Sequence, residues 1–217
     1  EIGGINMLGE KTTKLIIVCD EKTSEYANYL RQLVSMKDDT ADEIVGVKDG
    51  TVEVAVWLEK DYVANMATIS SKEHILFIGE NKVSKKETPS MSVKFDKFGM
   101  KYGWLGKRAM MMVSDSIKDK ETYDQFIEFC QGYEQKIEAM SLERVRKYED
   151  KDENEKGVVA LMKNKAATLA QLVVNPGVFG AVAGINMLKD RKKLRDQQYR
   201  ALTAILYTDG LTEFLEG

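Results

Sequence analysis

Between Lys165 and Lys189 lies a run of 23 residues without a charge, Ala166–Leu188 (AATLAQLVVNPGVFGAVAGINML), in a chain that is 31% charged. A stretch this long either spans a bilayer core or is buried on all sides as helix. Pro176 lacks a backbone donor, so the run is two helices or one kinked helix broken at Asn175-Pro176-Gly177. Gly177, Gly180 and Gly184 share one helical face with Ala181 nearby, a spacing that allows close helix approach in membranes and in bundles. Thr168, Gln171, Asn175 and Asn186 leave the run only moderately apolar. Two readings stay open. One is a soluble helical hairpin packed on the rest of the chain, on a protein partner or on a second copy, giving a homo-oligomer. The other is attachment to an anionic membrane, assisted by the basic cluster Lys189, Arg191, Lys192, Lys193 and Arg195.

The remainder reads as an ordinary globular protein. The whole chain has 217 residues, 43% of them hydrophobic, with 32 basic and 35 acidic side chains. The net charge of -3 points away from nucleic acid, whose binders carry a basic excess. Two cysteines, Cys19 and Cys130, make no disulfide framework, and EIGGINMLGEKTT has neither the basic start nor the apolar core of a signal peptide; a cytoplasmic location is expected. The single histidine, His74, excludes mechanisms that need two imidazoles and any His-rich metal site.

Four short apolar runs read as strands: Lys14–Cys19, Thr51–Trp57, His74–Gly79 and Ala109–Ser114. Three lack alternation, as strands covered on both faces do; the second alternates around Glu53 and suits an edge. Helical spacing appears in Glu21–Met36 (Tyr26, Tyr29, Leu30, Leu33, Val34), with Asp20 as N-cap, in Lys60–Ser70, and in Lys118–Met140. Asp49-Gly50 suggests a hairpin joining Glu43–Val47 to the second strand, and Ser92–Phe98 suggests an extra strand. Strand–helix alternation predicts an α/β fold: a three-layer, doubly wound, mostly parallel sheet of order 2-1-3-4 with a helical C-terminal extension. The expected organisation is an α/β domain over 1–142, a charged linker or helix end over 143–156, and a helical region over 157–217.

In such a sheet ligands bind at the carboxyl ends of strands, near the switch in strand order. That places Asp20, Thr23 and Ser24 after the first strand beside Gly79 and Asn81 after the third, where hydroxyls and amides could hold a phosphate or another anion. Lys107 and Arg108, in the glycine-rich cluster Gly99–Arg108, are further candidates for an anionic ligand; the spacing is not that of a P-loop.

The run IIVCDEKTSEYANYL (16–30), with SKEHILFIG (71–79) and GWLGKRAMMMVSDS (103–116), resembles the phosphate loop, third strand and fourth strand of the flavodoxin-like group. That resemblance implies FMN and a flavin-dependent reductase, although Asp20 and Glu21 stand where the phosphate would lie. VWLEKDYVAN (56–65) resembles a segment of TIR domains, which implies cleavage of NAD with Glu59 as the helix glutamate. Cys19 after a strand invites comparison with phosphocysteine carriers and low-molecular-weight phosphatases, but the Cys-x5-Arg spacing puts Glu25 where the arginine belongs. No intact catalytic motif is present. The leading expectation is a non-catalytic ligand-sensing or protein-interaction module that self-assembles through its C-terminal helices. The flavin reductase, the NAD-cleaving effector and a membrane-associated effector using 166–188 are the alternatives.

Overall fold

A computed structural model describes residues 13–35, 52–79, 82–87, 95–149 and 188–217. Strand β1 (Thr13–Cys19) forms from the run TKLIIVC, whose β-branched side chains suit a pleated surface covered on both faces. Helix α1 (Ser24–Ser35) comes next, then β2 (Val52–Leu58) and the short α2 (Glu59–Asn65), extended by a 3-10 turn at Met66–Thr68. Strand β3 (His74–Ile78) leads to α3 (Lys82–Glu87). Strands β4 (Met100–Leu105) and β5 (Arg108–Val113) form a hairpin, and three helices finish the described chain: α4 (Lys120–Glu149), α5 (Arg191–Asp209) and α6 (Leu211–Glu216).

Among the described residues the sheet has five strands, in the order β2-β1-β3-β5-β4. β1 pairs in parallel with β2 and β3, and β3 in parallel with β5; only β4 runs antiparallel, on β5. The fold is therefore α/β with a mostly parallel sheet. The expected order 2-1-3-4 is corrected to 2-1-3-5-4, because the glycine-rich cluster Gly99–Arg108 contains a further strand, β4, paired with β5. Within it Met100 and Tyr102 are buried while Lys101 is half-buried, the alternation of a strand with one covered face. Gly103 and Gly106 hide that pattern in the sequence.

The extra strand expected at Ser92–Phe98 is corrected as well. Phe95 sits in the left-handed region (φ 57°), Asp96–Phe98 form a 3-10 turn, and Gly99 is left-handed again (φ 65°), so extended chain begins only at Met100. Residues 92–94, and the expected strand Glu43–Val47, lie outside the described residues. Among the described residues β2 lies at an edge of the sheet, the position its alternation suggested.

Side chains alternate between the two faces of the sheet. Leu15, Ile17, Leu76, Ile78, Ala109 and Met111 join the larger core with Tyr26 and Leu30 of α1, Phe126 of α4, and Leu202, Ile205 and Leu206 of α5. Ile16, Val18, Ile75 and Phe77 point the other way and meet Tyr62 of α2 and Val83 of α3. The helix α5 was expected beyond a charged linker, yet its side chains share one core with β1. From Gln197 to Tyr207 every residue except Arg200 is buried, including Gln198 and Thr203. His74 opens β3 and lies buried under Phe214 of α6, ring to ring at 5.0 Å and 88°. Helix α4 runs to Glu149, into the charged segment 143–156; residues 150–187 lie outside the described residues. Among the described residues no helix is long and apolar enough to cross a membrane.

Candidate functional site

The carboxyl ends of β1, β3 and β5 converge on one side chain, Tyr199 of α5. At the end of β3, Gly79 adopts φ 90°, and a Cβ placed there would sit 3.6 Å from the Tyr199 hydroxyl. The Gly79 amide donates to Met111 of β5 (2.8 Å), and its carbonyl accepts the Ser84 hydroxyl (3.3 Å). From the end of β5, the Val113 backbone lowers the pKa of the Tyr199 phenol; from the end of β1, Asp20 raises it by its charge. Burial is the largest cause of that upward displacement. The ring stacks on Tyr26 at 5.0 Å and 17°.

A polar layer surrounds this stack. The Tyr26 hydroxyl donates a hydrogen bond to Asp196 Oδ1. Burial first, then the hydrogen bond and charge of Asp196, hold the Tyr26 phenol far above its ordinary range. Asp196 also lies 3.1 Å from Arg200 Nε, close enough to pair by charge but not aligned for a hydrogen bond. Arg200 reaches Glu25 of α1 (3.4 Å) and covers the Tyr29 ring (5.9 Å). Charged and aromatic groups here tie α1 to α5.

The residues expected to hold an anion are committed elsewhere. Asp20 accepts the Thr23 amide and the Thr23 hydroxyl, both at 2.8 Å, while Thr23 Oγ1 accepts the Asp20 amide (3.1 Å). Asp20 thus closes the turn before α1 in place of capping the helix directly; the Thr23 carbonyl takes the first helical amides, Tyr26 and Ala27. The Ser24 hydroxyl donates to Glu21 O. Asn81 lies outside the described residues.

Lys107 and Arg108 do not share this crevice. Arg108 pairs in register with Ile75, at the opposite end of β3 from Gly79, roughly 15 Å away at the rise of a strand. Lys107 Nζ stands 3.5 Å from His74 Nε2, and Arg108 donates to the Glu73 carbonyl (2.9 Å), so both fasten the hairpin to the amino end of β3. Glu59 is the first residue of α2, at the sheet edge. Gly177, Gly180 and Gly184 lie outside the described residues.

No family model, no curated protein and no solved structure matches this chain.

The chemistry available must therefore be read from geometry alone. Cys19 is buried, donates weakly to Trp57 O (3.7 Å), and its thiol is pushed up to about 11 by burial and then by Asp20. Cys130 is pushed up to about 12 by burial. Neither thiol is primed as a nucleophile. Among the described residues no three His, Cys, Asp or Glu side chains gather as a metal site. Tyr26, Asp196, Tyr199 and Arg200 were not singled out from sequence as a site. A signal for them exists: a buried tyrosine needs a partner for its hydroxyl, and two tyrosines fall on helical faces otherwise filled by aliphatic residues.

Proposed function

We propose that this chain is a non-catalytic interaction module on a three-layer, doubly wound α/β scaffold, which self-assembles through its C-terminal region. One observation carries the reading: the place where a ligand would enter such a sheet is filled by the chain's own Tyr199. A small ligand would have to displace a stacked, buried side chain. The hydroxyls of Thr23 and Ser24, which a phosphate would need, already have partners within their own turn. Assembly is then assigned to the run 166–188, whose Gly177, Gly180 and Gly184 give one face for close helix approach. A cytoplasmic location follows from this reading, and FMN and NAD have no place in it.

The test must leave α5 intact, since α5 belongs to the core. Residues 157–187 are replaced by a Gly/Ser linker of equal length, and the molar mass of both proteins is measured by light scattering. The reading predicts a defined oligomer for the full chain and a monomer for the variant. An unchanged oligomer in the variant contradicts the assembly claim. Bound flavin absorbance in the purified protein, or NAD loss on incubation, contradicts the non-catalytic claim.

A further inference from the structure

We infer that the end of the molecule bearing Leu188–Arg195 is a docking surface for an anionic lipid bilayer. The inference goes beyond the assembly reading, and its cations lie outside the run assigned to assembly. Between Lys189 and Arg200 the chain carries six cations against two carboxylates, in a protein whose net charge is -3. Both carboxylates are spoken for. Asp190 caps α5 through the Lys193 amide (3.2 Å) and pairs with Lys193 Nζ (3.8 Å), while Asp196 holds Tyr26 and Arg200. Arg191 is met by Asp115 (3.0 Å) and by the Ile117 carbonyl (2.6 Å). Lys189, Lys192 and Arg195 are exposed, and no carboxylate lies within ion-pair distance of them among the described residues. Lys118, in the segment that supplies the Ile117 carbonyl, is exposed as well.

This placement breaks a local rule. The first turn of α5 holds Arg191, Lys192 and Lys193, where the helix dipole favours anions. Such conflicts tend to survive where function requires them. An anionic plane laid against this turn would supply the missing counter-charge.

Apolar sequence enters at the same point. Leu188, the last residue of the uncharged run, packs against the main core, so the run joins the folded domain directly beside these exposed cations. A basic cluster near a phosphatidylserine surface gains about 1 kcal/mol for each cation that approaches it.

Full-length protein is sedimented with phosphatidylcholine vesicles, with and without phosphatidylserine. Binding is expected only with phosphatidylserine, falling as added salt shortens the screening length. The triple variant Lys189→Gln, Lys192→Gln, Arg195→Gln should bind on the order of 100-fold more weakly. A control triple with the same charge change elsewhere, Lys60→Gln, Lys72→Gln, Lys86→Gln, should bind as the parent does. Equal binding to pure phosphatidylcholine, no binding to phosphatidylserine at low salt, or equal losses in both triples overturns the proposal. Loss of the oligomer in the first triple without lipid also overturns it, by assigning these cations to an interface between copies.

Discussion

Tyr199 and Gly79 meet because a strand end, a turn and a helix from opposite ends of the sequence each leave one position open. Truncating Tyr199 to Ala should cost about 3–5 kcal/mol, as loss of a buried ring does, whereas Tyr199→Phe keeps the stack on Tyr26 and should cost about 1 kcal/mol. Denaturant titration of the two variants checks the difference. Gly99 is the second constrained position. Its φ of 65° and a would-be Cβ only 2.3 Å from the Ser114 carbonyl oxygen make Gly99→Ala destabilising by roughly 2 kcal/mol or more. Neither requirement is written locally in the sequence. A glycine shows that a side chain is absent, and only the fold shows what would collide with it. The two thiols behave more simply. With Cys19 and Cys130 buried and displaced upward, neither should react with an aromatic disulfide reagent at neutral pH until the protein is unfolded.

At the scale of elements, most strands were visible because buried parallel strands are short apolar runs. Lys14–Cys19, His74–Gly79 and Ala109–Ser114 each match an observed strand to within a residue. β4 was missed because Gly103 and Gly106 resemble loop chemistry, while the pairing that makes it a strand is with β5, across a turn. The C-terminal helix was recognised as a helix but not as core. Its buried polar residues, Gln197, Gln198 and Thr203, look like a solvated face until their partners are in place. Gln198 donates to the Phe98 carbonyl (2.7 Å) and lies 3.3 Å from that of Ser114, joining α5 to the chain on either side of the β4–β5 hairpin. Gln198→Leu should therefore destabilise by about 1–3 kcal/mol, measured by thermal or denaturant unfolding, despite its greater hydrophobicity. Of the candidate site, Gly79 and the β1–α1 turn were placed correctly at the carboxyl ends. Lys107 and Arg108, which precede the residues read as the fourth strand, lie at the amino end of the parallel pair β3–β5, away from that crevice.

For the whole molecule, the buried tyrosines and cysteines fix the direction of the pH response. Tyr26, Tyr102, Tyr123 and Tyr199, with both cysteines, hold their protons more tightly folded than unfolded, chiefly through burial. A raised native pKa stabilises the fold fully below the unfolded value, and that contribution is lost as pH rises. Stability should accordingly fall from about pH 9, where unfolded thiols and phenols begin to ionise, to about pH 11–12, where Cys19 and Cys130 ionise in the native state. Tyrosinate absorbance should rise together with the loss of helical circular dichroism, not before it.

The account rests on the C-terminal helix being part of the α/β core and the filler of its crevice. Amide hydrogen exchange on the full-length protein tests this most directly, because protection reports the free energy of opening each segment. The account predicts that amides of residues 197–207 exchange as slowly as those of β1 and β3, and are released with them in denaturant. Exchange of 197–207 within the time of exposed turns, while β1 and β3 stay protected, would contradict it and return that helix to the role of an appendage.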